Sequence, residues 1–347
     1  MRRGESGMNK IKISTHSPFQ PLEAVWLGQG LDESFFDWVE DNDIKKPLQK
    51  IINETNEDLS NIRKVCESHY VKVYQDTPLK FDPAIFKNKL ALPTPPIQPR
   101  DTHLTLDNKI YCTSTEPAWN FVHEIVEPEC IVNLFDLTYK DQLYENGNML
   151  SGAYCYRLGK RIIIPTLVDK PMRDFSKSFF TSKGYEVVET NDEGHSDGIM
   201  SVVKPGVIVS LEDKEHYRNT FPGWEVFTVT GQSWNAVGGW LKFKQKSKGR
   251  WWIPGEESNN YLLQFVNQWL DHWVGYIEET VFDVNMLSLS EEVVLVNNYH
   301  KELFSYLEKH KVTPIVCPFR HRYFWDGGIH CVTVDLKRTG EMENYFN

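Results

Sequence analysis

The chain has no apolar run near the roughly 18 to 20 residues needed to span a bilayer, so no membrane partner is expected. Residues Met1 to Gly7 lack the apolar stretch of a secretory leader. They precede a second methionine, Met8, and read either as a remnant of an expression vector or as an extended start. Residues 1–10 are therefore taken as a flexible N-terminal extension. Basic charge is also in deficit. Lys and Arg number 38 against 48 Asp and Glu, a formal net charge of -10. Such a chain repels phosphate backbones, which argues against nucleic acid as a main partner. None of the six cysteines forms a Cys-x-x-Cys pair or stands in a zinc-ligand spacing with histidine. No metal and no cofactor are called for. A chain this long needs no disulfide staples, so a reducing, cytoplasmic setting is expected. P-loop, G-x-G-x-x-G and serine nucleophile-elbow motifs are all missing.

What is present is material for a large core: 347 residues, 40% apolar and 13% aromatic. A hairpin–helix–strand rhythm recurs along it. In 103–140 the hairpin is His103–Leu106 with Lys109–Cys112, followed by a helix near Ala118–Glu127 and a strand Ile131–Leu134. In 145–190 it is Met149–Tyr156 with Arg161–Pro165, then a helix near Lys170–Ser182 and a strand Tyr185–Glu189. In 195–229, Ile199–Val203 and Val207–Leu211 flank the turn Lys204-Pro205-Gly206, and the strand Glu225–Val229 closes the unit. In 281–317, Val281–Leu289 and Glu292–Val296 precede a helix Tyr299–His310 and a strand Val312–Cys317. The chain ends supply a fifth unit. Ile329–Leu336 would pair with Glu23–Gly28, and helix Pro47–His69 with strand Val71–Tyr74 would complete it. Five units with joined ends predict a closed α/β ring in one domain, 11–347. Ala91–Gln98 reads as a proline-rich linker. A Trp-rich insertion near 230–280 is long enough for a lid.

Chemistry-bearing residues recur at the unit entries. His195-Ser196-Asp197 opens one hairpin. On a strand, His195 and Asp197 would face the same way. Gly327-Gly328-Ile329-His330-Cys331 opens another, with glycines that allow close approach to a ligand and Cys331 at the head of an apolar strand. His330 would then lie on the opposite face, in a structural role. Arg100-Asp101 and Glu145 open two more. Taken singly, each has a bland reading: a solvated loop, an inert buried thiol, a surface carboxylate. In a ring, however, equivalent positions converge on the axis.

Together the set suits a planar guanidinium. Asp101 and Asp197 would clamp its N–H fork, and Cys331 as thiolate would attack its carbon. His195 would move protons, and Glu145 would orient His195. The basic stretch Lys242–Trp252 could bind single-stranded nucleic acid, but reads better as an exposed edge protected by lysines.

These residues resemble the glycine amidinotransferase family of the guanidine-modifying (pentein) superfamily, from about Pro18 to Phe346. The opening Pro21-Leu22-Glu23-Ala24-Val25, the tripeptide Pro99-Arg100-Asp101, and His195-Ser196-Asp197 with downstream Pro205-Gly206 all match family motifs. So, above all, does the run from Gly327 to Gly340, while Glu145-Asn146-Gly147-Asn148 falls where the superfamily has E-G-G-D or D-A-A-D, with Asn148 in place of the last acid. The resemblance implies a five-bladed α/β-propeller of ββαβ modules with pseudo-fivefold symmetry. It also implies a Cys331–His195–Glu145 catalytic triad, with Asp101 and Asp197 on the guanidinium. Lys214, Asp283 and Asn285 fall in the implied substrate pocket. Lys214 stands about where the family has an arginine on the substrate carboxylate, so the acceptor is left open. The implied activity is transfer of the amidino group of arginine to glycine or another amine. A deiminase-like hydrolase is the runner-up, and a non-catalytic binding protein on the same propeller comes third. The Asp335-Leu336-Lys337-Arg338-Thr339-Gly340 continuation favours the transferase. A homodimer is expected by family analogy alone.

Overall fold

The computed structural model describes residues 9–82, 95–114, 117–134, 150–165, 170–190, 195–211, 217–229, 255–256, 258–271, 273–274 and 284–346. Five three-stranded sheets organise these residues. In chain order the strands are β1 (Leu22–Leu27), β2 (Lys72–Tyr74), β3 (His103–Leu106), β4 (Lys109–Cys112) and β5 (Ile131–Asn133). Then come β6 (Tyr156–Leu158), β7 (Arg161–Pro165), β8 (Glu186–Thr190), β9 (Met200–Lys204) and β10 (Val207–Ser210). The last are β11 (Glu225–Thr228), β12 (Leu287–Ser290), β13 (Val293–Val296), β14 (Thr313–Val316) and β15 (Thr333–Arg338). Every sheet is an antiparallel pair plus a parallel third strand, and the middle strand is β4, β7, β10, β13 or β1. The ring closes as the ends predict. β15 pairs antiparallel with β1 at Trp26↔Val334 and Leu27↔Thr333, and β1 carries β2 in parallel. The fold is the five-bladed α/β-propeller expected from the sequence.

The middle strands show why. Arg161–Pro165 reads RIIIP, and its three isoleucines are fully buried. A strand covered on both faces needs such an unbroken apolar run. Tight turns are set by local residues. Gly206 in the predicted Lys-Pro-Gly turn has φ 84°, and Asp107 at the β3–β4 turn has φ 53°, a conformation Asp tolerates better than most side chains.

The core is split among the sectors between neighbouring sheets. One cluster joins Val207 and Val209 of β10 to Val294 and Val296 of β13 and to Leu303 and Leu307 of the helix Lys301–Lys309. The largest packs the helix Asn42–Ser68 against the sheet of β1 through Leu48, Ile51, Ile52, Leu59, Ile62 and Cys66. That helix starts five residues before the predicted Pro47, because Asp41 caps it by accepting from the Asp43 N–H at 2.9 Å. Pro47 sits near its start, where a missing N–H costs little.

Within the Trp-rich stretch, the described part is core. The helix Asn260–Trp269 buries Leu262 and Val266 in that same cluster, and Trp273 stacks on Trp325 with ring centroids 6.0 Å apart. The basic stretch Lys242–Trp252 lies outside the described residues. Among the described residues, no helix is long and apolar enough to cross a membrane.

Two local predictions fail in an instructive way. Ile329 to Val332 is not strand: β15 begins at Thr333, and Cys331 sits in the turn before it. Likewise His195-Ser196-Asp197 is not strand but the start of a helical turn, Ser196–Ile199, with His195 at its N-cap position. Both turns are held by side-chain and backbone partners distant in sequence.

Candidate active site

The turn carrying Cys331 is built around Asn285, which is fully buried. Its Oδ1 accepts the His330 N–H at 2.8 Å and the Cys331 N–H at 3.3 Å. Its Nδ2 donates to Cys331 Sγ at 3.2 Å and to the Asp197 carbonyl at 3.1 Å. Gly328 makes this possible, since a Cβ there would lie 2.5 Å from Asn285 Oδ1. Gly327 does the same for the Gln98 side chain, 2.0 Å from where a Cβ would sit. The glycines thus admit neighbouring side chains of the protein itself, where the sequence suggested approach to a ligand.

Asp197 lies beside the sulfur. Its Oδ2 is 3.5 Å from Cys331 Sγ and accepts His330 Nδ1–H at 2.7 Å. His330 therefore does not point away from Cys331. A turn lets adjacent side chains share one acceptor, where a strand would separate them. Asp197 is held from below as well: its N–H donates to the Ala153 carbonyl at 3.2 Å, and Ser196 Oγ donates to the Tyr154 carbonyl at 2.8 Å. The His195 ring meets Tyr154 edge-on at 4.5 Å. Its Nδ1 is 3.9 Å from Asp101 Oδ1.

Asp101 ends a short helical turn, Pro99–Asp101, whose Arg100 N–H donates to the Cys331 carbonyl at 3.4 Å. Depth divides the group. Cys331 is 1% exposed and Asp197 0%, whereas the side chains of His195 and Asp101 keep 18% and 26% of their surface. Three segments far apart in sequence thus place a thiol, an imidazole and two carboxylates together, with the imidazole of His195 on the solvent side.

Glu145, Lys214 and Asp283 lie outside the described residues. Asn285 is placed beneath the sulfur as a brace.

The electrostatics of the site favour a cation. Burial, then the charges of Asp197 and Asp101, push the Cys331 thiol well above its usual range, although the Asn285 contact pulls the other way. Burial opposes ionisation of Asp197, yet the His330 hydrogen bond and the neighbouring His330, His195 and Arg100 hold it below the usual carboxylate range. Burial and Arg100 keep His330 low, so it stays neutral and donates from Nδ1. Asp197 Oδ1 is buried and has no hydrogen-bond partner among the described residues.

A consequence can be measured. A neutral alkylating agent such as chloroacetamide is expected to modify Cys331 slowly at neutral pH, with the rate rising only in the alkaline range. Chloroacetamidine brings its own cation to Asp101 and Asp197, and should react faster at pH 7 by at least about tenfold, since each pKa unit recovered multiplies the thiolate tenfold. Equal rates, followed by peptide mass mapping of Cys331, would show that the carboxylates do not govern the thiol.

Behind the site lies a network that sequence reading missed. Asp335 is completely buried. Its Oδ1 accepts from Arg100 at 2.8 Å, and its Oδ2 from Arg157 at 2.8 Å and Arg338 at 2.7 Å. The arginines reach onward. Arg100 Nε donates to the His330 carbonyl at 2.7 Å, Arg157 to Thr105 at 2.6 Å, and Arg338 to the Ser288 carbonyl at 2.9 Å and to the Gln20 carbonyl. One carboxylate thus ties together the turn at 99–101, β3, β6, β12 and β15. Asp335 and Arg338 belong to the C-terminal motif already noted. Arg157 carried no signal beyond being a charge inside an apolar hairpin.

The fold defines the class, a pentein propeller. The sequence matches are amidinotransferases, and the structural ones include both amidinotransferases and hydrolases such as dimethylarginine dimethylaminohydrolase, which superposes with a TM-score of 0.56 at 9% identity over 90% of this chain and 99% of that one. The structure superposes on inosamine-phosphate amidinotransferase of Streptomyces griseus with a TM-score of 0.61, covering 96% of this chain and 99% of that one at 17% identity. In sequence, 70 residues are 31% identical to L-arginine:L-lysine amidinotransferase of Pseudomonas savastanoi pv. phaseolicola, 20% of this chain and 19% of that one. A longer stretch of 153 residues is 25% identical to mitochondrial glycine amidinotransferase of Xenopus tropicalis, 44% of this chain and 29% of that one. The matches therefore span under a third of these relatives. No family model matches. The curated proteins matched in sequence are amidinotransferases, as the motifs suggested.

Proposed function

We propose that this protein is an amidinotransferase that carries the amidino group of arginine to an amine through a covalent adduct on Cys331. The observation that supports this most is the meeting of Cys331 Sγ with Asp197 Oδ2 at 3.5 Å, beside Asp101 and His195. A guanidinium between two carboxylates would have its carbon held near the sulfur. Its charge would cancel the carboxylate field that keeps the thiol protonated, so the nucleophile is released when substrate arrives.

Cys331 thiolate would attack the guanidinium carbon, forming a C–S bond and breaking the C–N bond to ornithine. His195 would take the thiol proton and give it to the departing amine. The acceptor amine would then attack the same carbon, with His195 taking its proton, and the C–S bond would break. Asn285 Nδ2, already on Sγ, would steady the thiolate in both half-steps. Glu145 is proposed to orient His195, and Lys214 and Asp283 to contact the substrates.

The test uses guanidino-labelled arginine with a panel of amines, glycine and lysine included. Ornithine with a labelled guanidino product is the expected outcome, with ping-pong kinetics. Citrulline would mean that water resolves the adduct, making the protein a hydrolase. No turnover and no adduct would leave only a binding role.

A further inference from the structure

We infer that His330 is a positioning residue for the guanidinium clamp: it holds Asp197 through Oδ2 and so leaves Oδ1 to receive the substrate's N–H. This rests on the amidino-transfer reading above. Neither the sequence motifs nor the expected triad gave His330 such a part.

Three observations carry it. First, one carboxylate oxygen serves two neighbours: Asp197 Oδ2 takes His330 Nδ1–H at 2.7 Å and stands 3.5 Å from Cys331 Sγ. The imidazole bond is the shorter by far. With it gone, the thiol becomes the only side-chain donor to Oδ2 among the described residues, and the carboxylate could turn its free edge toward the sulfur. Second, Oδ1 of the same fully buried group has no hydrogen-bond partner among the described residues. Leaving a buried acceptor in this state is costly, so a donor supplied by the ligand is strongly favoured there. Third, the imidazole itself is fixed. It stacks on Tyr156 at 6.2 Å and 15°, and its carbonyl is pinned by Arg100 Nε at 2.7 Å.

The charges around His330 suit this part. Arg100 faces it from the 99–101 turn, Asp197 from the 195–199 turn, and Asp335 from β15. An imidazolium here would cancel the negative charge of Asp197 before the substrate arrived. Burial and Arg100 together keep the ring neutral, so it orients the carboxylate without neutralising it.

The measurement is arginine binding by calorimetry in a Cys331→Ala background, where no adduct forms. His330→Leu removes the donor, and His330→Asn keeps an N–H close to the Nδ1 position. Leu is expected to weaken arginine binding by at least about tenfold, and Asn to stay within about threefold, the pattern of a lost and a retained charge-assisted bond. In the enzyme with Cys331 intact, the Leu change should raise KM for arginine more than it lowers kcat. Unchanged binding in His330→Leu overturns this inference alone. Absence of arginine binding with His330 intact overturns it together with the amidino-transfer reading. Should His330→Leu not fold, nitrogen-15 spectra of the histidines in the wild-type protein decide. A proton on Nδ1 of His330 supports the inference, and the Nε2–H tautomer overturns it.

Discussion

Cys331→Ser is expected to lower amidino transfer by at least about 10³-fold while leaving the fold intact. Serine keeps the polar contacts, since its hydroxyl can accept from Asn285 Nδ2 and donate to Asp197 as the thiol does. The stability change should therefore be small, about 1 kcal/mol. What it loses is chemistry. A hydroxyl in a buried pocket beside carboxylates does not ionise near neutral pH, and a substrate cation cannot bring it into range. The readouts are ornithine release and the unfolding midpoint, taken together. Transfer within tenfold of wild type in a folded Ser variant would remove Cys331 from the reaction.

The second large effect is on stability. Asp335→Asn should destabilise the protein by at least ~3–5 kcal/mol, because it strands three buried arginines around a neutral amide. Asp335 is held well below the usual carboxylate range by Arg338, Arg100 and Arg157, against its burial. The sign follows. A depressed carboxylate stabilises the folded state above its unfolded value, about pH 4, and loses that contribution as pH falls towards the depressed value. Denaturant titrations at several pH values should show wild type losing stability on its acid limb, and the Asn variant less stable throughout and flatter there. A variant as stable as wild type at pH 7 would mean that the arginines find other partners or release their charge. Arg100 links the network to the His330 carbonyl and, through its own N–H, to the Cys331 carbonyl. Partly folded Asn protein should therefore lose the site before it loses the sheets.

The ring itself was readable from local pattern. The hairpin β3–β4 has the predicted bounds, because an Asp-Asn turn between two short apolar runs leaves little choice of register. β7 and the helix Lys170–Ser182 also fall as predicted, since an apolar run and an amphipathic one each declare their period. The union of the two chain ends followed from counting units. Cys331, His195, Asp197 and Asp101 were singled out for the same reason, as odd polar groups at the entries of repeating units.

Their geometry was not readable. Strand periodicity put His330 and Cys331 on opposite faces, and His195 with Asp197 on one. Both segments are turns instead, and what bends them is Asn285, Ala153 and Tyr154, brought in from other parts of the chain. No window around Cys331 contains those partners. Arg157 is the clearest case: within its own hairpin it is a misplaced charge, and only Asp335, 178 positions away, makes it a member of the core.

The sequence by itself determined the period and the number of blades, because these depend on spacing and composition along the chain. Tertiary structure alone decided which carboxylate touches the sulfur, which histidine orients it, and how one buried aspartate holds three arginines. Those depend on distances across space and on burial, which set hydrogen bonds and ionisation and leave no local trace.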